Sequence, residues 1–82
     1  MKITVRYFAS LREAIGQSQE DLHTLASHAG EVRDELLARG GAYACLGRDR
    51  SVRLALNQVM VEEDALLQDN AELAFFPPVT GG

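Results

Sequence analysis

The sequence has little of several features that mark extracellular or membrane proteins. Its 82 residues contain one cysteine, Cys45, and its longest apolar runs extend for only a few residues. A single thiol cannot form an internal disulfide framework, and a helix that crosses a bilayer needs roughly 20 apolar residues. We therefore expect a single small domain located in the cytoplasm, with no membrane partner.

Positive charge is also scarce. The chain carries eight Lys and Arg against twelve Asp and Glu, which gives a formal net charge of -4. Its only lysine is Lys2, and its arginines are scattered between Arg6 and Arg53. Nucleic acids are bound by clustered positive charge, so we expect no nucleic-acid partner. The opening residues MKITVRYF alternate polar and apolar side chains, which predicts a strand rather than a signal peptide.

The common motifs of self-contained active sites are missing. The sequence has no GxxxxGK[ST], GxGxxG, HExxH or GxSxG motif. His23 and His28 have no cysteine nearby, so we interpret them as exposed structural histidines and expect no metal site and no directly bound cofactor. The acidic run 62–64 is interpreted as a solvated turn. Cys45 lies in an apolar stretch without an identifiable base, which favours a packed hydrophobe over a reactive thiol.

The spacing of apolar residues predicts about five strands and one main helix. Strands are expected over residues 2–8, 18–25, 52–57, 59–61 and 72–76, with Asn57-Gln58 as a tight reversal between the third and fourth. Ser10 and Glu13 are predicted to form a capping box on a short helical turn that ends at Gly16 and directs Leu11, Ala14 and Ile15 inward.

The main helix is predicted to follow Ser27 and to end before Gly40 and Gly41. Its buried face would be formed by Ala29, Val32, Leu36 and Leu37, and its solvent side by Glu31, Arg33, Asp34 and Glu35. This order of elements indicates an α+β fold in which one helix packs across a mixed sheet. If the first and last strands pair at the centre of the sheet, the arrangement is the β-grasp.

The C-terminal residues differ in character from the rest of the chain. Pro77-Pro78 ends regular strand pairing, so we expect a domain over residues 1–76 and an extended tail over residues 77–82. Gly81 and Gly82 leave only the backbone and the carboxylate able to react. Such an unhindered carboxylate could enter another protein's active site and be activated there as an acyl adenylate. The alternative interpretation is a frayed end or a cloning remnant.

Strand alternation also predicts an aromatic surface at the root of this tail. Phe8 shares one side of the first strand with polar residues, and Phe76 falls opposite the apolar side of the last strand. If these strands are neighbours, the two rings would form an exposed patch, with Met60 as a third member. In the alternative, both rings cap the core.

The run Glu72–Gly82, ELAFFPPVTGG, closely resembles the C-terminal signature of the molybdopterin synthase small subunits, a family of ubiquitin-like sulfur carriers. Supporting motifs are Tyr7-Phe8-Ala9, Leu11-Arg12-Glu13 and Leu56-Asn57-Gln58. The resemblance covers nearly the whole chain and is weakest over residues 17–30, where the second strand is more polar than is usual for the family.

The resemblance implies a ubiquitin-like β-grasp fold with a flexible tail, and a cycle of sulfur transfer. An adenylyltransferase of the ubiquitin-activating type would use ATP to adenylate Gly82, and a sulfur donor protein would convert it to a thiocarboxylate. The tail would then enter the large subunit of a heterotetrameric synthase and donate sulfur to cyclic pyranopterin monophosphate, with Gly81 keeping access open. The residues expected to bind the partner are Phe8, Met60, Phe76, Pro77, Pro78, Val79 and Thr80. The alternatives are a sulfur carrier for thiamine, cysteine or tRNA thiolation, and a protein modifier.

Overall fold

A computed structural model of the protein describes residues 1–78. In this range the strands are β1 (Lys2–Tyr7), β2 (Gln19–His23), β3 (Arg53–Leu56), β4 (Val59–Val61) and β5 (Glu72–Phe76). The α-helices are α1 (Ala9–Ile15) and α2 (Ala29–Leu37), and two 3-10 helices span Gly41–Leu46 and Arg48–Arg50. The roles predicted for Val79, Thr80, Gly81 and Gly82 concern residues outside the described range.

The strands form one mixed sheet in the order β2-β1-β5-β3-β4. β1 and β5 are parallel neighbours at its centre, with Tyr7 beside Phe75, and the other pairs are antiparallel. The first and last strands of the described chain therefore lie side by side, as the β-grasp requires. The predicted fold is confirmed.

The core lies between this sheet and α2. Alternate residues of the central strands face the helix and are almost fully buried. They include Ile3, Val5, Tyr7, Leu73 and Phe75. They pack with buried residues of α2, including Val32 and Leu36. Burying each of the larger aliphatic or aromatic side chains contributes about 1.5–3 kcal/mol, so this layer provides most of the stabilisation.

The start of α1 differs from the prediction. The helix begins at Ala9 with Phe8 as its N-cap and without a side-chain capping bond, so the predicted capping box of Ser10 and Glu13 is wrong. The cause is the sharp exit from β1, where Ala9 takes a positive φ of 51° and brings the chain into the helix two residues earlier. Ala14 is also exposed rather than buried. The predicted end at Gly16 is confirmed by its left-handed φ of 89°.

A tight turn at Asn57-Gln58 joins β3 to β4, as predicted. Both residues have positive φ, 49° and 71°, which is the backbone of a type I′ hairpin turn. The Asn57 side-chain oxygen accepts a hydrogen bond of 2.9 Å from the backbone N–H of Glu72. The hairpin that carries Met60 is thereby tied to the first residue of β5.

Arg33 is 4% exposed, although the helical pattern placed it on the solvent side of α2. Its Nε donates to the carbonyl oxygen of Leu46 at 2.6 Å, and its Nη2 donates to that of Gly47 at 3.0 Å. The side chain therefore connects α2 to the two 3-10 helices, in a segment whose sequence has no regular period. Burial lowers the pKa of the Arg33 guanidinium from its ordinary value.

A second polar cluster closes the β2 side of the core. Glu20 accepts hydrogen bonds from the hydroxyls of Tyr7 (2.8 Å) and Tyr43 (3.0 Å) and from Arg39 (2.8 Å). Burial by itself would raise the pKa of the Glu20 carboxyl, but these bonds together outweigh it and the pKa lies below its ordinary value. Burial and the bond to Glu20 raise the pKa of Tyr7. The cluster holds β1, β2 and the first 3-10 helix together.

Candidate functional site

Two aromatic rings meet on the outer face of the sheet, the face opposite α2. The centroids of the Phe8 and Phe76 rings are 4.5 Å apart and their planes are 10° from parallel. The backbone brings them together, since the N–H of Phe8 donates to the carbonyl oxygen of Phe75 at 3.2 Å and extends the parallel pairing of β1 and β5. Both rings are half-buried and belong to neither the core nor the side chains packed against it. The structure thus favours the surface patch over the alternative in which both rings cap the core.

The register of the sheet places Met60 on the same outer face as the two rings. In the row next to them, Arg6 lies beside Ala74, Ala74 beside Ala55, and Ala55 beside Met60. The two alanines at the centre of this row are small, whereas the side chains at its ends are long. Met60 is 55% exposed. Met60 also lines an apolar groove beside the rings, together with Phe8, Ala9, Arg53, Phe76, Pro77 and Pro78.

Two arginines that were not predicted as site residues lie near the rings: Arg53 lines the groove, whereas Arg6 lies against Phe8 without lining it. The guanidinium carbon of Arg6 lies 5.0 Å from the centroid of Phe8, and its Nη1 lies 3.6 Å from a carboxylate oxygen of Glu72. Arg53 lies beside Phe76 in the pairing of β3 with β5 and is exposed. Strand alternation was the available signal, because it places Arg6 with Phe8, but the position of Arg53 beside Phe76 depends on a strand register that the sequence does not reveal.

The groove lies where the chain leaves the sheet. β5 ends at Phe76, and Pro77 and Pro78 line the groove directly after it. Proline has no N–H to donate to a neighbouring strand, so the sheet cannot continue along this path. A protein that covers the groove would therefore contact this chain immediately before residues 79–82.

The candidate metal ligands, the cysteine and the acidic run lie outside this groove. Within residues 1–78 no three His, Cys, Asp or Glu side chains are grouped as metal ligands. Cys45 packs against the core, and burial raises the pKa of its thiol, which agrees with its interpretation as a packed hydrophobe. In the acidic run, Glu63 is not simply solvated, because it accepts a hydrogen bond from Arg48 Nε at 2.9 Å and lies 3.5 Å from Arg33 Nη1. The bonds from Arg48 lower the pKa of the Glu63 carboxyl.

None of the helices described is long and apolar enough to cross a membrane.

Comparison with known proteins identifies the family. The profile of the ThiS family matches residues 5–82, and the chain belongs to this family. A curated relative, the molybdopterin synthase sulfur carrier subunit of Escherichia coli, is 35% identical over 80 residues, which is 98% of this chain and 99% of the relative. The chain is thus similar to that subunit over practically its whole length.

Solved structures show the same fold. Small archaeal modifier protein 1 from Haloferax volcanii superposes with a TM-score of 0.79 and 24% identity over all of both chains. A protein-protein complex of subunits 1 and 2 of the molybdopterin-converting factor from Helicobacter pylori contains a chain that superposes with a TM-score of 0.72 and 22% identity, again over all of both chains. At these identities the likeness concerns the β-grasp fold.

Proposed function

We propose that this chain is the sulfur carrier subunit of a molybdopterin synthase. The observation that carries the proposal is the position of the Phe8–Phe76 groove, which lies at the root of a C-terminal segment ending in Gly81-Gly82. The family and the similarity to the Escherichia coli subunit support it. The groove would bind the large synthase subunit, and the residues after Pro78 would enter the active site of that subunit.

The chemistry proposed for Gly82 proceeds in three transfers. The terminal carboxylate attacks the α-phosphate of ATP on a partner adenylyltransferase of the ubiquitin-activating type, and pyrophosphate leaves. A persulfide of a donor protein then attacks the acyl carbon and displaces AMP, and a thiol reduces the resulting acyl disulfide to release the thiocarboxylate. In the large subunit the thiocarboxylate sulfur forms a bond to a carbon of cyclic pyranopterin monophosphate in place of an oxygen substituent, and water cleaves the acyl carbon–sulfur bond, which returns Gly82 to a carboxylate. Gly81 has no side chain that could obstruct the approach.

The composition of the chain agrees with a cycle in which partner proteins bind ATP and the pterin precursor. The chain has no nucleotide-binding motif, so ATP would be bound by the activating enzyme. Its net charge of -4 does not favour binding of a phosphate-bearing substrate, so basic groups for the pterin precursor would belong to the large subunit. A single cysteine, half-buried against the core, is compatible with a cytoplasmic site of action.

Mass spectrometry tests the proposal. The chain is incubated with its own organism's adenylyltransferase, ATP and a sulfur source, and a mass gain of about 16 Da is expected because sulfur replaces oxygen. Adding the large subunit and cyclic pyranopterin monophosphate should reverse the gain and yield molybdopterin. Isopeptide-linked adducts without the mass gain would instead indicate a protein modifier. A thiocarboxylate that does not react with the pterin precursor would indicate a carrier for thiamine, cysteine or tRNA thiolation.

A further inference from the structure

Charged side chains on the outer face of the sheet are paired, with one exception. The charged strand residues of this face are Lys2, Arg6, Asp21, Arg53 and Glu72. Lys2 Nζ lies 3.7 Å from Asp21 Oδ2, and Arg6 Nη1 lies 3.6 Å from Glu72 Oε1. Within residues 1–78, Arg53 has no carboxylate within 4.0 Å. Arg53 is therefore the cation among these strand residues that forms no ion pair, although it lines a second cavity together with Glu62, Glu63 and Asp64.

Arg53 also occupies a distinctive place on this face. It lies beside Phe76 and lines the apolar groove together with Met60 and Pro77. A protein that covers the groove must remove water from part of this guanidinium. Desolvating a charged group is unfavourable unless the covering surface supplies hydrogen-bond acceptors, and a carboxylate matches the planar guanidinium best.

Arg6, the arginine that lies against Phe8, already has a carboxylate neighbour within the chain, although its buried Nε has no hydrogen-bond partner among the described residues. Its guanidinium lies over the Phe8 ring and near Glu72, so its charge is balanced and its contacts help to hold Phe8 in place. The two arginines therefore differ in what they offer a partner. Of these two arginines, Arg53 is the one whose guanidinium has no carboxylate within 4.0 Å in residues 1–78.

We infer that the large subunit presents an Asp or Glu carboxylate opposite Arg53, at the edge of an apolar pocket that receives Phe8 and Phe76. This inference rests on the proposed function, because it specifies the partner of the same groove. Because the chain has a net charge of -4, this contact favours one docking orientation over the others. A carboxylate of the partner would be repelled by most of this chain and attracted at Arg53, so the pair fixes the orientation in which the two proteins dock.

Calorimetric titration of the large subunit from the same organism tests the inference at low and at physiological ionic strength. Arg53→Glu should raise the Kd about tenfold at low ionic strength, and Arg53→Gln by a smaller factor, with both effects reduced by salt. The matched control is Lys2→Glu, which makes the same change in net charge on the same face. Lys2 is the first residue of β1 and lies six residues before Phe8, about 20 Å away along extended backbone, so the Kd of this variant should stay close to that of the unaltered chain.

The outcomes separate this inference from the proposed function. If Phe76→Ala weakens binding but Arg53→Glu binds with an unchanged Kd and unchanged salt dependence, the carboxylate contact is overturned and the groove remains the docking site. Equal weakening by Arg53→Glu and Lys2→Glu would also overturn it, since only net charge would then matter. If the unaltered chain does not bind the large subunit, the proposed function and this inference both fail.

Discussion

The ring of Phe8 is stacked on the ring of Phe76, with centroids 4.5 Å apart and planes 10° from parallel. The two residues come from opposite ends of the sequence and meet because β1 and β5 are parallel neighbours. Neither ring packs with the core, so the pair is available to another protein. A stack that exists before binding loses little side-chain freedom on association, which favours its use as an anchor.

Replacing Phe76 by alanine should weaken association with the large synthase subunit. The change removes an aromatic ring from the centre of the groove and leaves Phe8 without its stacking partner. We expect a loss of more than about 1 kcal/mol of binding free energy, measured by titration calorimetry at a temperature where the variant is shown to be folded. An unchanged affinity would mean that the ring does not lie in the interface.

Leu25→Ala is the matched control for Phe76→Ala. Leu25 is 100% exposed and does not line the groove, so it is an equally apolar surface residue outside the proposed site. Its replacement should leave the affinity for the large subunit unchanged. If both variants lose affinity equally, the loss reflects a general effect of surface hydrophobicity and not docking at the Phe8–Phe76 groove.

Deleting Gly82, or adding one residue after it, should abolish sulfur transfer without unfolding the domain. The core consists of residues between Ile3 and Phe75, so stability should not depend on the last residue. The melting temperature is expected to match that of the unaltered chain, while the mass gain of about 16 Da disappears on deletion. Normal production of molybdopterin by either variant would contradict the role proposed for the Gly82 carboxylate.

Those parts of the fold that depend on local periodicity could be predicted from the sequence. The alternation in β1 and β5, the helical spacing from Ala29 to Leu36, and the Asn57-Gln58 turn each lead to the element that forms. The aromatic patch could also be predicted, because Phe8 and Phe76 break the alternation of their strands in corresponding places. Each of these signals arises from neighbours within a few residues along the chain.

Features that depend on distant contacts could not be predicted in this way. Arg33 has the pattern of a solvent-facing residue, yet it is buried because the carbonyl groups of Leu46 and Gly47, 13 and 14 residues away, accept its hydrogen bonds. The start of α1 depends on the backbone at Ala9, where a positive φ is uncommon for alanine. The position of Arg53 beside Phe76 depends on the register between β3 and β5.

Glu20→Gln should destabilise the domain in a manner that depends on pH. Because the pKa of Glu20 is lower in the folded chain than its ordinary value of 4.5, the charged carboxylate stabilises the fold above that value. This contribution is lost as the pH falls through the lower, folded pKa. We expect a loss of about 1–3 kcal/mol at pH 7 that shrinks under strongly acidic conditions, measured by urea unfolding.

Glu13→Gln is the control for the pH series, because Glu13 is an exposed glutamate of α1. It should change the free energy of unfolding little at any pH. A destabilisation by Glu20→Gln that stays constant from neutral to strongly acidic pH would show that the charge of Glu20 is not what matters, and that only the shape or packing of its side chain does.

Arg33→Met should destabilise the domain more than the same replacement of an exposed arginine. Methionine preserves much of the apolar stem but leaves the buried carbonyl oxygen of Leu46 without its 2.6 Å donor and removes the 3.0 Å bond to Gly47. We expect a loss of about 2–4 kcal/mol, seen as a lower urea midpoint with an unchanged slope. Arg12→Met, an exposed change in α1, should shift the midpoint by much less. Equal midpoints for the two variants would mean that the buried guanidinium does not hold α2 to the 3-10 segments, and that packing of the stem alone is sufficient.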